Sequence, residues 1–112
     1  MVKAYIPERG DITWLDFDPQ KGREQMGKRP ALVISPKVYN KNGLAIFCPI
    51  TSQIKGYPFE LQINAGKISG AVLIDHIKNL DWKARKAKFI TKLNKTSLER
   101  VQKVLIALML NN

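Results

Sequence analysis

Apolar residues along this chain fall into short runs separated by turn-forming clusters, and only the last segment departs from that rhythm. Residues 12–17, Ile-Thr-Trp-Leu-Asp-Phe, are β-branched and aromatic, a composition that suits a pleated surface, so they predict a strand ended by Asp18-Pro19. Residues 20–29 hold two glycines and five charges without an apolar period, which predicts a surface loop. The apolar run 30–36 is bracketed by Pro30 and Pro36 and reads as a strand buried on both faces. Asn40-Lys41-Asn42-Gly43 supplies residues that tolerate positive φ and predicts a turn. Further strands are expected at 44–50, at 59–63 where Leu61 and Ile63 alternate with polar residues, at 71–74 and at 88–93.

The ending differs. Thr96-Ser97-Leu98-Glu99 has capping-box spacing, in which the threonine hydroxyl and glutamate carboxylate satisfy free amides of a first helical turn. Leu98, Val101, Leu105 and Leu108 then recur at steps of three and four, an apolar stripe that serves either a core or an interface. Short strands followed by one helix predict a mainly β (β+α) chain, a small barrel or strongly bent sheet carrying a C-terminal α-helix. The length suits one domain spanning 1–112.

Charge changes this picture more than composition does. With 45% hydrophobic and 25% charged residues, the chain is that of a soluble globular protein. Nineteen lysines and arginines against nine acids give a formal charge of +10, which favours a polyanionic partner, nucleic acid before acidic protein or membrane surface. Cys48 is the single cysteine, so an intrachain disulfide is excluded and a reducing cytoplasm is the expected location. The first nine residues lack the apolar core of a signal peptide, and the longest apolar run, 104–110, is too short to span a bilayer; no membrane association is expected.

Much familiar chemistry is excluded. With His76 the only histidine, one subunit cannot build a two-histidine acid–base site, and His76 with Cys48 does not make a zinc set. Cys48 lies in an apolar run, as core cysteines do. No glycine-rich phosphate loop is present, and no metal or cofactor is expected. Two loop–strand junctions remain. Arg29 closes the charged loop just before Pro30; its planar, permanently charged fork matches two phosphate oxygens, although a surface pairing with Glu24 would satisfy it too. Thr51-Ser52-Gln53 follows Pro49-Ile50 and offers either a hydrogen-bonding ledge at a strand end or an ordinary polar turn.

These junctions, Arg29-Pro30-Ala31 and Pro49-Ile50-Thr51-Ser52-Gln53, belong to a longer series. Arg9-Gly10-Asp11-Ile12, Trp14-Leu15-Asp16-Phe17-Asp18-Pro19, Gly22 through Glu24-Gln25, the run from Arg29 to Ser35, and Lys55-Gly56-Tyr57-Pro58-Phe59 complete it. In that order and spacing the chain resembles the MazF/PemK family of toxin endoribonucleases. The resemblance implies an SH3-like β-barrel of the MazF/PemK/CcdB type, a homodimer, and cleavage of single-stranded RNA (mRNA) at a short sequence. It also implies a cognate antitoxin, MazE-like, whose acidic segment occupies the RNA groove. On this resemblance Arg29 and Thr51 are the catalytic arginine and threonine, and Glu24 is a loop glutamate linked to activity in part of the family. Asp75 and His76 fall where relatives place RNA-contacting or catalytic residues; His76 departs from a common glutamine, and Leu73 replaces an arginine of PemK-type relatives.

The chemistry asks little of the protein. When an RNA 2′-OH attacks the adjacent phosphorus, leaving a 2′,3′-cyclic phosphate and a 5′-OH, the enzyme has only to align the attack and stabilise the phosphorane. Arg29 suits the non-bridging oxygens and Thr51 a hydrogen bond to one of them, with Glu24 or Asp75 as base. Lys21, Arg23, Lys28 and Lys55 are placed to track phosphates, and Asp16, Phe17, Ser52, Gln53 and His76 to hydrogen-bond or stack on splayed bases. Two competing functions share the fold: a CcdB-like toxin that poisons gyrase, and a non-catalytic RNA-binding module.

Overall fold

A computed structural model describes residues 4–17 and 28–110. Seven strands form one antiparallel sheet among the described residues: β1 (Asp11–Asp16), β2 (Lys28–Val33), β3 (Leu44–Thr51), β4 (Glu60–Ala65), β5 (Ile68–Leu73), β6 (Lys78–Asp81) and β7 (Lys88–Lys92). Their order is β4-β5-β3-β2-β1-β7, with β6 beside β3. The eight-residue β3 is the hub, since its first half pairs with β6, its end pairs with β5, and β2 runs along its other side. The sheet curls into an SH3-like half-barrel closed by α2 (Lys95–Leu110).

Alternation places a core on each side of the sheet. Ile12, Leu32, Cys48, Ile50 and Val72 face α2, which adds Val101 with Leu98, Val104 and Leu105 against them. Leu15, Ala31, Val33, Ala45 and Phe47 face the opposite way and are covered by Trp82, Ile6 and Leu80. The expectation of a strand buried on both faces thus holds for Ala31, Leu32 and Val33, each fully buried. The helical stripe leaves the core before it ends: Leu108 is 36% exposed, and Ile106, Met109 and Leu110 are more so.

Three local features differ from the sequence reading. Residues Lys37–Asn40 form a short helix, α1, and Asn40 is a buried polar hub instead of a turn residue. Its amide donates to the carbonyls of Pro7 and Ser35, and its own carbonyl accepts the Trp82 indole N–H at 2.8 Å. Of the predicted turn, only Gly43 takes positive φ, at 102°. Strand β6 was not foreseen. Helix α2 is capped by Asn94, whose Oδ1 accepts the Ser97 N–H at 2.8 Å, and not by the Thr96 capping box. The Leu93 N–H is already bonded to the Gly10 carbonyl in the sheet, so the chain turns into the helix directly after it and Thr96 falls inside the first turn.

The N-terminal segment is tied down by a buried carboxylate. Asp11, 4% exposed, accepts from the Tyr5 hydroxyl at 2.7 Å and the Glu8 N–H at 3.0 Å, and pairs with Lys92 at 3.0 Å. Burial, then Asp11, raises the Tyr5 hydroxyl above its ordinary value. Burial pulls the Lys92 ammonium down, but the hydrogen bond and charge of Asp11, with Glu8, outweigh it and hold the proton more tightly than usual.

Candidate active site

The last residues of β3 and the first of β2 meet at one end of the sheet. Register between these strands pairs Ala31 with Pro49, Leu32 with Cys48 and Val33 with Phe47. The paired stretch ends at Ala31 and Pro49, and Arg29 and Thr51 each lie two residues beyond that end on their own strands. Both residues line one open cavity of about 450 Å³ with Pro30, Ile50, Ser52, Gln53, Ile68 and Ser69. Apolar walls at Pro30, Ile50 and Ile68 thus carry one guanidinium and a set of hydroxyl and amide groups.

Each catalytic candidate is held by backbone. Arg29 opposes Leu15 on β1 and is solvent-exposed, so its backbone is fixed within the sheet while its charge reaches the cavity. Thr51 is paired with Ala71 on β5. Its Oγ1 accepts the Gln53 N–H at 3.1 Å, which orients the hydroxyl and leaves its own hydrogen to donate elsewhere. Strand β5 approaches closely enough that a Cβ on Gly70 would collide with the Thr51 carbonyl oxygen. That glycine, beside Ser69 on the cavity wall, is needed for the packing of the site.

A second depression, about 160 Å³, shares Thr51 and Gln53 with the first and adds Lys55, Tyr57, Glu60, Leu73 and His76. One Glu60 carboxylate oxygen accepts the backbone N–H groups of Lys55 and Gly56, at 3.0 and 2.9 Å, and so fixes the turn that carries Lys55 and Tyr57. Tyr57 is 61% exposed, its ring available to a planar ligand. His76 Nε2 lies 3.9 Å from Asp75 Oδ1 in the 3-10 turn Ile74–His76.

Of the residues singled out from sequence, Arg29, Thr51, Ser52 and Gln53 come together in the main cavity, and Lys55 and His76 join Gln53 in the neighbouring one. Asp16, Phe17, Lys28 and Asp75 do not line either depression among the described residues. Phe17 is half-buried and packs against the Leu15 and Phe47 core. Lys28 pairs with Asp16 at the end of the β1–β2 ladder. Glu24, with Lys21 and Arg23, lies outside the described residues. Ser69, Tyr57 and Glu60 were not singled out as site residues. A glycine inside the β5 pattern was the available signal for Ser69, because it marks a close backbone approach. Cys48 is fully buried, and burial, followed by the Asp75 charge, pushes its thiol up to about 12, as suits a core residue.

The fold is an SH3-like half-barrel with an arginine and a threonine from two strand ends in one open cavity, under a +10 net charge, a small scaffold with room and charge for an anionic ligand. Comparison with known proteins makes this specific. Residues 8–109 match the family described as PemK-like, MazF-like toxin of type II toxin–antitoxin system, and the chain belongs to that family. It is 49% identical over 88 residues to the endoribonuclease toxin MazF of Escherichia coli (strain K12), covering 78% of this chain and 79% of that one. Its fold superposes on the crystal structure of MazF from Deinococcus radiodurans with a TM-score of 0.84 at 45% identity, covering 95% and 98% of the two chains. A MazE–MazF structure from the same organism gives a TM-score of 0.83 at 41% identity, covering 95% of this chain and 97% of that one.

Proposed function

We propose that this chain is the endoribonuclease toxin of a type II toxin–antitoxin pair, cutting single-stranded RNA at a short sequence without a metal. The observation that carries this reading is the meeting of Arg29 and Thr51 in one cavity, from adjacent strands, in a chain of this family. The attacking group belongs to the RNA, whose 2′-OH displaces the neighbouring 5′-oxygen to leave a 2′,3′-cyclic phosphate and a 5′-OH. Arg29 neutralises the non-bridging phosphate oxygens, and the Thr51 hydroxyl, oriented by the Gln53 N–H, donates to one of them. Glu24, or Asp75 from its turn beside His76 at the neighbouring depression, takes the 2′-OH proton, and the leaving oxygen is protonated by Arg29 or water. Ser52, Gln53, Lys55 and His76 bind the nucleotides flanking the cut, and Lys28, Asp16 and Phe17, at the end of the β1–β2 ladder outside both cavities, contact RNA further along the strand.

The same reading makes 1–112 one toxin domain, working as a homodimer in the cytoplasm and bound by an acidic MazE-like antitoxin. Exposed Ile106, Met109 and Leu110 on α2 give a second copy an apolar face to cover, and the net positive charge suits both RNA and an acidic inhibitor. No described helix is long and apolar enough to cross a membrane.

The test is to incubate the purified protein with a long unstructured RNA in EDTA and map the new ends. Discrete cuts carrying cyclic phosphate and 5′-OH termini, absent with a folded Arg29→Ala variant, are expected. Intact RNA across several substrates and salt concentrations, or cleavage undiminished by Arg29→Ala, would sink the mechanism.

A further inference from the structure

Strand β7 pairs with β1 only as far as Trp14 opposite Lys88, whereas β2 continues along the other side to Leu15 opposite Arg29 and Asp16 opposite Lys28. The β7 side of that last stretch is completed by Arg85, in the turn just before β7. The Arg85 carbonyl accepts the Asp16 N–H at 3.0 Å, and its Nη1 donates to the carbonyls of Asp16 at 2.9 Å and Phe17 at 2.6 Å. We infer that Arg85 is a positioning residue for the proposed nuclease reaction, clamping the end of β1 so that its ladder partner β2 presents Arg29 to the scissile phosphate.

The turn holding Arg85 is itself well anchored. Asp81 Oδ1 accepts the Ala84 N–H, its carbonyl accepts the Arg85 N–H, and the Trp82 carbonyl accepts the Ala87 N–H. Trp82 is 6% exposed, packed in the core and hydrogen-bonded to the buried Asn40. The guanidinium therefore projects from a rigid support. Its Nη1 alone bridges two successive carbonyls, which lie beyond the last β1–β7 pair. Because Arg29 directly opposes Leu15, a shift of Leu15 and Asp16 carries Arg29 with it. Misplacement of a catalytic group by an ångström costs on the order of 10²-fold in rate. Lys83, Lys86 and Lys88 add charge to the same turn, yet Arg85 is half-buried and has a nitrogen committed to main-chain carbonyls, so its contribution falls on geometry more than on RNA capture.

The inference rests on the nuclease reading, so its test has one arm in catalysis and one in the free protein. Steady-state cleavage of a short RNA well below the melting temperature is compared for wild type, Arg85→Ala, Arg85→Lys, Arg29→Ala and the double variant. Arg85→Ala should lower kcat about 10- to 100-fold with KM within about twofold, Arg85→Lys should recover most of the loss, and Arg85→Ala should add nothing to Arg29→Ala. Backbone amide NMR of the RNA-free Arg85→Ala protein should show shifts at Leu15, Lys28 and Arg29 while residues of β4 stay in place. If Arg85→Ala does not fold, Arg85→Met, which keeps the packing of the stem and removes the donors, is measured for the same kcat loss and the same shifts. A raised KM at unchanged kcat, equal losses in both Arg29 backgrounds, or unmoved Arg29 resonances would overturn it. An inert wild type with the expected amide shifts would overturn the nuclease reading and leave the clamp standing.

Discussion

Substituting Gly70 by alanine tests whether the packing of β5 against β3 sets the position of Thr51. The φ of Gly70 lies outside the left-handed region, so an alanine there is opposed by space and not by backbone conformation. An added Cβ would overlap the Thr51 carbonyl oxygen, lie 3.1 Å from the carbonyl carbon and touch Ile50 Cγ2 at 3.5 Å. The obstacle is backbone, which cannot swing aside as a flexible side chain does, so the end of β3 and the middle of β5 must separate by about 1 Å to restore ordinary contact. Overpacking of this kind costs roughly 1–3 kcal/mol, offset by about 0.4–1 kcal/mol from the stiffer unfolded chain. At about 4–8 °C per kcal/mol the melting temperature should fall by on the order of 5–10 °C. The rate should suffer more, because an ångström at a catalytic group is worth about 10²-fold. Cleavage of a fluorogenic RNA at a temperature where Gly70→Ala stays folded, with a melt recorded beside it, separates the two effects. A folded variant with wild-type kcat/KM would show that the close approach does not govern Thr51, and the reasoning from this contact to the site would be refuted.

Three further outcomes follow from other parts of the molecule. Asn94→Ala should cost about 1 kcal/mol by removing the α2 cap, whereas Thr96→Ala should be nearly neutral; chemical denaturation that ranks them the other way would restore the capping box. The Cys48 thiol, raised to about 12 and fully buried, should react with a disulfide reagent at pH 8 only as fast as the protein opens, so labelling of native protein within the mixing time would contradict its burial. Tyr5 and Lys92 both hold their protons more tightly folded than unfolded, so their stabilisation is complete below their ordinary values and is lost as pH climbs past about 10. The melting temperature should therefore fall steeply in that window, and Tyr5→Phe should start lower at pH 8 but fall less; an equal alkaline drop in the variant would remove Tyr5 from the account.

How far the sequence could be read depends on what kind of interaction shapes each part. Strands β2, β3 and β7 were legible because they are buried or alternating apolar runs bounded by proline, glycine or a change of period. Strand β6 was not, since Lys78-Asn79-Leu80-Asp81 is mostly exposed and shows one apolar residue; it is a strand because β3 offers it an edge, which is a non-local cause. Asn40 misled for a similar reason. Turn propensity is local, but its place in the core is set by Pro7, Ser35 and Trp82, which are distant in the chain or carried on other elements. At the start of α2 two cap signals overlapped, and a hydrogen bond from Leu93 to Gly10 decided between them. In the site, Arg29 and Thr51 were visible as charged or polar residues at the ends of strong strands, whereas Ser69 and Glu60 become meaningful only once β4 and β5 fold beside β3.

The arrangement also divides the proposed labour between two kinds of structure. Arg29 and Thr51 stand at the ends of a ladder whose inner residues, Ala31, Leu32, Cys48 and Ile50, are buried in cores on both faces of the sheet. Register errors are costly there, because a shift of one residue would turn each of these side chains to the wrong core. The backbone positions of Arg29 and Thr51 are thus set by the most over-determined part of the fold, a support suited to stabilising a short-lived phosphorane on the proposed reading. Ser52, Gln53, Lys55 and Tyr57 lie instead on the exposed connection from β3 to β4, where Glu60 makes two hydrogen bonds and core packing is slight. On the proposed reading, substitutions in that connection alter which bases are accepted without moving the β2 and β3 backbone. On the same reading a change of cleavage sequence is accessible through surface residues, while the reacting pair stays anchored in the sheet.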